Sequence, residues 1–281
     1  MTGTPAALRD GAAAGGSEQG WGQMPRSMTS PLRRIMFAVL AIGVAGAGTA
    51  LAAAPPYRLA LELEAGPAWQ SYNDVQIPNN DTATRFSLSD AVGKGPWAAG
   101  RVYLTWHLSE ASDLRALYAP LTINEPGELA GPVSFAGGDF TAGQALATFK
   151  FNSYRLTYRH RFHEGERWSW WWGGTAKIRD ARIALEQDGV IAAKDDLGFV
   201  PLLHISGKWR PAAAWRVTFD ADALAGGPGR AEDVALKLSR DLSEQVRLAV
   251  GYRLVEGGAD VDEVYTFTWL HYAVASVRVD F

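Results

Sequence analysis

Two short stretches of the sequence carry residue types that could perform hydrolysis. His204 and Ser206 are separated by one residue, and so are Asp220 and Asp222. Because successive side chains of a β-strand point to opposite faces, each pair shares a face if its segment is a strand. A histidine base beside a serine hydroxyl is typical of nucleophilic hydrolases, and paired carboxylates can act as general acid and base. These four residues are the candidate catalytic residues, provided that a substrate can reach them.

The remaining motifs predict neither metal nor phosphate chemistry. Residues 257–263, GGADVDE, match the acidic side of a calcium-binding loop but lack the rest of such a motif. The sequence has no cysteine, no histidine cluster with metal-ligand spacing, and no glycine-rich loop between a strand and a helix. We therefore expect no metal site and no cofactor.

The last stretch, residues 264–281, is the best guide to the fold. Alternate residues from Tyr265 to Phe281 are apolar, with His271 as the one exception, and Thr266, Thr268, Ser276 and Arg278 lie on the opposite face. An ordinary strand has about five or six residues, so this one is unusually long. Such a strand fits the closing strand of a membrane barrel or the edge strand of a soluble sandwich.

The same alternation recurs along the chain from residue 57. Ten segments show it: 58–69, 97–108, 114–123, 145–162, 168–186, 197–209, 215–224, 233–239, 246–255 and 264–281. Pro120 lies inside the third segment and cannot donate to a strand ladder, so we expect a bulge or an early strand end there. Phe149 and Phe151 have the opposite parity to Tyr154 and Leu156, which predicts a bulge near Asn152.

The connections between the segments differ in length in a regular way. Those after the second, fourth, sixth and eighth segments are short, those after the first and third are long, and the others are intermediate and rich in Gly and Asp. Bacterial barrels have short periplasmic turns and longer external loops, and an even strand count puts both termini on the periplasmic side.

Tryptophan clusters beside the short connections. Trp and Tyr prefer the membrane–water boundary, so these residues predict an aromatic girdle. The members of this girdle are Trp106, Trp168, Trp170, Trp172, Trp209 and Trp215. A sparser outer girdle would contain Trp69, Trp97, Tyr265 and Trp269.

The polar face of the segments carries charges of both signs, with an excess of cations. These residues are Glu62, Glu64, Arg101, Arg155, Arg159, Lys177, Arg179, Lys208, Asp220, Asp222, Lys237, Arg247, Arg253 and Arg278. A barrel of about ten strands is only slightly wider than one that side chains can fill, so these charges would interlock across the lumen as an ion-paired network.

The amino end is predicted to lie outside the fold. Residues 1–27 lack periodicity and indicate disorder or an upstream start codon. From Met28, a basic pair, an apolar run and a small-x-small pattern at residues 50–52 predict a signal peptide over residues 28–52. An uncleaved anchor is the alternative.

Composition agrees with a membrane barrel. The mean hydropathy is −0.09 and the net charge is −3. A transmembrane barrel is apolar only on alternate residues, so its average hydropathy is near zero. The small net charge gives no basic field for nucleic acid.

The signal peptide, the alternation over residues 57–281 and the terminal Phe281 together resemble small outer-membrane β-barrel proteins of Gram-negative bacteria. The resemblance implies an all-β fold: a closed antiparallel transmembrane barrel, with ten strands predicted and eight or twelve as alternatives. It also implies a monomer in contact with outer-membrane lipid and lipopolysaccharide. The barrel-assembly machinery would read the C-terminal strand, with Phe281 as part of that signal.

Two narrower resemblances concern chemistry. The His204–Ser206 pair is similar to the His-x-Ser pair of outer-membrane lipid A deacylases, although Gly207 stands where that family has Asn. Asp220 and Asp222, with His204 and His271, resemble the acidic and histidine residues of omptin proteases. The His204–Ser206 pair and the two aspartates are predicted to face the lumen, whereas the deacylase site meets lipid at the outer surface.

Three functions follow from these features. The first is a structural or interaction barrel with a plugged, charged lumen and surface loops that meet lipopolysaccharide or a partner. The second is a narrow channel for small solutes, with a preference for anions suggested by the cationic excess. The third is an outer-membrane hydrolase.

Overall fold

The computed structural model describes residues 58–227 and 229–281, which are almost entirely β-strand. The predicted N-terminal extension and signal peptide lie outside these residues. The strands are β1 (Leu59–Gln76), β2 (Phe86–Ser87), β3 (Trp97–His107), β4 (Ser112–Ala119), β5 (Thr122–Leu129), β6 (Val133–Phe135), β7 (Gly138–Phe140), β8 (Gly143–Glu164), β9 (Trp168–Gln187), β10 (Val190–Ala212), β11 (Trp215–Gly226), β12 (Gly229–Asp241), β13 (Val246–Val261) and β14 (Val264–Asp280). One short helix, α1, spans Leu88–Ala91. No helix in the described ranges is long and apolar enough to cross a membrane.

The strands form a closed antiparallel ring. Each strand pairs with its neighbour in the order β14-β13-β12-β11-β10-β9-β8-β4-β3-β1, and β14 also pairs with β1, from Ala60 opposite Asp280 to Gln76 opposite Tyr265. Strand β5 continues β4, because both pair with β8. The ring therefore has ten strand positions, as predicted.

The two predicted irregularities had different outcomes. Strand β4 ends at Ala119 and β5 begins at Thr122, so the strand break expected at Pro120 is confirmed. The bulge expected near Asn152 is wrong, because β8 keeps its register with β9 from Leu146 to Arg161 and shifts only between Arg161 and His163. Phe149 and Phe151 point into the barrel without a change of parity.

The connections divide the barrel into two ends. We call one end of the barrel the turn end: it holds the short connections after β3, β8, β10 and β12, the start of β1 and the end of β14. The opposite end is the loop end. At the loop end, three predicted intermediate loops are wrong because the strands run on: β9 and β10, for example, are joined only by Asp188 and Gly189. Both residues have positive φ, at 50° and 81°, as a two-residue hairpin requires.

The two long connections at the loop end form a plug, defined as residues 77–96 and 130–142. Leu88, Val133, Phe135 and Phe140 of these segments are buried in one apolar cluster. The cluster also contains inward-facing residues of β1, β5, β8, β9, β10, β13 and β14. Since β1, β13 and β14 lie across the ring from β8, β9 and β10, the cluster spans the lumen between them.

Hydrogen bonds fasten the plug to the wall. Buried Gln70 on β1 donates through Nε2 to the carbonyl oxygen of Gly93 at 2.7 Å. Its Oε1 accepts from Asn73 Nδ2 at 2.9 Å, and Asn73 Oδ1 accepts from Thr268 at 3.0 Å. The backbone N–H of Ala136 donates to the carbonyl of Ile77 at 2.8 Å, which joins the two segments of the plug.

The exterior of the ring is apolar. Leu203 and Val250 are both 60% exposed, and large outward side chains such as Leu63, Leu104 and Leu236 are also exposed. Soluble monomers rarely expose an apolar band of this extent. With every ring strand paired on both sides and its apolar face outward, the fold meets the requirement for a lipid-embedded β-structure.

Candidate functional site

Charged side chains cross the lumen between the plug and the turn end, and Asp233 on β12 lies at their centre. It accepts hydrogen bonds from Arg101 at 3.0 Å, Arg155 at 2.7 Å and Arg253 at 2.5 Å. These arginines lie on β3, β8 and β13, so their bonds join strands from different sides of the ring. We call the connected charges around Asp233 the lumen network.

A second branch of the lumen network is built on Glu64 of β1. Lys237 Nζ donates to Glu64 at 3.0 Å and to Glu62 at 2.5 Å. Arg253 Nε donates to Glu64 at 3.1 Å, which connects this branch to Asp233. Ser276 donates to Glu62 at 2.8 Å.

A third branch contains three of the candidate catalytic residues. Asp222 on β11 accepts from Arg155 at 2.9 Å and from Thr175 at 2.7 Å, and it lies 2.8 Å from His204 Nδ1. Because Asp222 is an acceptor here, Nδ1 carries the proton. Ser206 Oγ lies 3.1 Å from the other ring nitrogen of His204, Nε2.

The fourth branch lies nearest the turn end. Arg115 donates to Asp220 through both terminal nitrogens, at 2.8 and 3.0 Å. Arg159 donates to Asp113 at 2.8 Å, and His107 Nδ1 lies 2.5 Å from the same carboxylate. Asp220 Oδ2 is 3.9 Å from His204 Nε2, so this carboxylate borders the serine–histidine pair without bonding to it.

The hydrogen-bonding groups of the buried lumen network are all satisfied. Within residues 58–227 and 229–281, every buried side-chain nitrogen and oxygen has a hydrogen-bond partner. A fully satisfied polar network holds its members in one arrangement, whereas an unpaired member would cost several kcal/mol.

Several predicted lumen charges lie outside the lumen network. Lys177 lies over the Phe151 ring, 4.8 Å from its centroid. Arg247 pairs with Asp241 at 2.7 Å and Arg278 with Asp280 at 2.7 Å, both nearer the turn end. Arg179 pairs with Asp196 of β10 nearer the loop end, where its side chain is 28% exposed, so it does not join the central group.

Sequence reasoning missed Asp113, Arg115 and Asp233 of the lumen network. Strand parity could have identified Asp233, since it shares a face with the predicted Lys237. Asp113 and Arg115 lie at the start of β4, where the alternation is weak.

The predicted girdle residues lie together at the turn end. Trp106, Trp168, Trp172 and Trp215 are outward and exposed, while Trp170 and Trp209 are partly buried. The Trp168 ring stacks on Trp170 at 6.1 Å and on Trp209 at 5.6 Å between centroids.

The terminal residue closes the ring. The N–H of Phe281 donates to the carbonyl of Leu59 at 2.7 Å, and its carbonyl accepts from the N–H of Arg58 at 2.9 Å. The Phe281 side chain is 61% exposed on the exterior, where another molecule can contact it.

The omptin-like grouping of histidines and aspartates forms only in part, because His204 lies beside Asp220 and Asp222 but His271 does not. His271 points outward, bonded to Ser71 Oγ at 2.7 Å and Tyr252 at 2.5 Å and stacked on Trp69. Asp220 and Asp222 face the lumen, so the wall of the barrel separates them from this histidine.

A cavity of about 440 Å³ lies inside the turn end, and we call it the vestibule. It reaches Glu110 and Glu244 in the short turns, and Ser206 and Asp220 line its inner wall. Ten Arg and Lys residues line it, against six Asp and Glu residues. In the described ranges, no group of three or more His, Asp or Glu side chains is arranged to hold a metal ion.

A closed ten-stranded ring with an apolar exterior, a charged interior and short turns at one end is the architecture of small Gram-negative outer-membrane β-barrel proteins. The chain has this fold, and the fold places it in the outer membrane of a Gram-negative bacterium.

Solved outer-membrane proteins resemble this structure at low identity. The outer membrane protease OmpT from Escherichia coli has a TM-score of 0.49 and 10% identity, over 80% of this chain and 97% of that one. The translocator domain of the autotransporter NalP from Neisseria meningitidis has a TM-score of 0.45 and 9% identity, over 89% and 95%. Neisserial surface protein A has a TM-score of 0.37 and 12% identity, over 79% and 97%.

No protein-family model matches the chain, and no curated protein matches its sequence. The assignment of the fold therefore rests on the strand pairings and the exposed apolar band.

Proposed function

We propose that this protein is a closed, non-conducting outer-membrane barrel with a structural or interaction role at the cell surface. The observation that carries the proposal is the double obstruction of the lumen: the apolar plug fills the loop end, and the lumen network crosses the middle. A solute would have to displace buried apolar side chains and then break ion pairs that have no solvent to replace them.

The hairpin of β9 and β10 is the part of the surface best suited to an interaction. Its tip rises far above the turn-end girdle, because 18 residues separate Trp168 from Glu186, the register partner of Ile191. At about 3.3 Å per residue and a tilt of about 40°, this is roughly 45 Å, against an apolar band of about 25 Å. Ile191 is nevertheless 64% exposed, which supports contact with lipopolysaccharide or with a partner protein.

Single-channel recording tests the closed state. The refolded barrel is first shown to be folded by the different migration of boiled and unboiled samples on a gel. We expect no conductance steps from such a sample in a planar bilayer. Steady, reproducible steps would contradict the proposal and would favour the channel.

The channel stays a second candidate because the vestibule is wide and cationic at one end. Conduction would then require movement of the plug. If steps are recorded, neutralising Arg155 or Arg159 should lower the preference for anions, because both guanidiniums lie inside the lumen.

The hydrolase stays a third candidate because of the order Ser206–His204–Asp222. A hydroxyl at 3.1 Å from an imidazole nitrogen, with a carboxylate at 2.8 Å from the other nitrogen, has the geometry of nucleophile, base and orienting acid. Against it, β10 is paired on both sides at Ser206, so the backbone N–H groups there belong to the sheet and cannot stabilise an oxyanion.

Labelling with a serine-reactive fluorophosphonate tests this candidate. An activated Ser206 would be labelled in the folded barrel, and Ser206→Ala would abolish the label while Ser243→Ala, in an exposed turn, would not. Absence of label on a folded barrel would eliminate the hydrolase.

A further inference from the structure

One side of the vestibule concentrates positive charge without enough carboxylates to neutralise it. Arg216 and Arg247 share one partner, Asp241, at 2.6 and 2.7 Å. In the described part of the chain, neither Lys208 nor Arg210 has a carboxylate within the 4.0 Å of an ion pair. Of these four cations, only Arg216 and Arg247 have a carboxylate within ion-pair distance in the described residues, and it is the same carboxylate.

These cations are close neighbours on the inner wall. Lys208 is the register partner of Thr218, and Arg216 is two residues from Thr218 on the same face of β11. Arg210 is two residues from Lys208 along β10, and Arg247 is the register partner of Asp241. All four cations line the vestibule.

Trp171 holds two charges of the vestibule in place without neutralising them. Its ring lies under Lys208 Nζ, at 5.1 Å from the centroid, and near the guanidinium of Arg159, at 5.7 Å. An aromatic face attracts a cation through its quadrupole but carries no net charge. Lys208, which has no carboxylate partner among the described residues, therefore remains available to an anion in the vestibule.

The contrast with the lumen network shows that this excess is local. Around Asp233, Asp222 and Glu64, cations and carboxylates are interleaved and every buried polar atom is paired. Like charges that are grouped in a partly enclosed space repel one another and raise the local affinity for an anion. The volume of about 440 Å³ is within the range of small-molecule sites, about 300–1,000 Å³.

We propose that the vestibule is a binding site for a small phosphate-bearing molecule from the periplasm, held by Lys208, Arg210, Arg216 and Arg247. Phosphate fits because it offers several charged oxygens, and guanidinium groups bind such oxygens in pairs. The plug closes the other end, so the ligand enters and leaves by the turn end.

Titration calorimetry of the refolded full-length barrel with sodium pyrophosphate tests the site. Wild type should bind one equivalent at low salt, and affinity should fall as sodium chloride is raised, because the contacts are ionic. Lys208→Gln should weaken binding about tenfold, and Lys208→Gln with Arg216→Gln about a hundredfold. Inorganic phosphate should bind more weakly than pyrophosphate.

Arg240→Gln is the matched control. Arg240 lies at the same end but points outward over the Trp215 ring, at 5.6 Å, and its replacement should leave pyrophosphate affinity unchanged. The proposal fails if the folded wild-type barrel gives no saturable heat with millimolar pyrophosphate. It also fails if the double variant binds as well as wild type, or if Arg240→Gln loses as much affinity. None of these outcomes depends on whether the barrel conducts.

Discussion

Arg155 on β8 donates to Asp233 on β12 at 2.7 Å, across the inside of the barrel. Three strands separate β8 from β12 along one side of the ring, so this bond joins walls that share no backbone ladder. The same guanidinium also donates to Asp222 at 2.9 Å. Arg155 therefore braces the ring from within, in a layer that solvent does not reach.

Replacing the central carboxylate should destabilise the barrel strongly. Asp233→Asn leaves Arg101, Arg155 and Arg253 without their shared partner, and we expect a loss of about 3–5 kcal/mol in the free energy of unfolding. The measurement is urea-induced unfolding in lipid vesicles, followed by tryptophan fluorescence. The control is Asp195→Asn, because that side chain is 65% exposed and its pair with Arg182 should contribute less than about 1 kcal/mol. Equal losses in both variants would contradict a structural role for the lumen network.

Displacing the helix of the plug should open the lumen. A Cβ at position 127 would lie 1.1 Å from the carbonyl oxygen of Ala91, so Gly127→Val forces α1 away from the wall. We expect conductance steps in this variant and none in wild type. Gly131→Val is the control because a Cβ at position 131 would have no atom within 4 Å, and this variant should stay silent. A silent Gly127→Val barrel that still folds would mean that the lumen network alone blocks the path.

Neighbouring tryptophans should respond differently to lipid. Trp172 is 46% exposed on the exterior, whereas Trp171 faces the vestibule between Lys208 and Arg159. In vesicles of brominated lipid, Trp172→Phe should reduce the fraction of fluorescence that the lipid quenches. Trp171→Phe should raise that fraction, since it removes a fluorophore that the lipid does not contact. The opposite pattern would mean that the register of β9 is shifted by one residue.

The Phe281 side chain should matter for assembly more than for stability. It is 61% exposed, and the contacts that close the ring come from its backbone. We expect Phe281→Ala to lower the amount of folded barrel in the outer membrane of cells. Its free energy of unfolding in vesicles should change by less than about 1 kcal/mol. Leu242→Ala, at a 57% exposed position in a turn, should affect neither quantity. Normal amounts of folded Phe281→Ala protein in cells would argue against an assembly signal at this residue.

The exterior of the barrel could be predicted from local sequence because the outward face of every strand contacts lipid. Leu59, Leu61 and Leu63, or Val246, Leu248 and Val250, contact the membrane independently of any partner strand, so a period of two residues is enough to identify them. Tryptophan at the ends of strands follows the same rule. The fold class and the ring of ten strands rest on this repetition.

Where the inner face is apolar, the same rule failed. Phe149 and Phe151 predict a change of parity when apolar residues are assigned to the exterior. They point inward because the plug packs against that part of the wall, and the plug itself shows no periodicity in sequence. The exact strand ends at the loop end were missed for a related reason, since those strands continue above the apolar band where polarity no longer distinguishes the two faces.

Over most of the barrel, the order of residues along each strand is enough to assign side chains to lipid or to the lumen, because strand geometry alternates side chains irrespective of their partners. Which charges form pairs, in contrast, depends on the folded barrel. Arg155 and Asp233 are 78 residues apart, and Glu64 and Arg253 are 189 apart. Their contact depends on the closure of the ring, the register of every intervening strand and the tilt that follows from both. The excess of cations in the vestibule can be identified only once the ion pairs of the folded barrel are known.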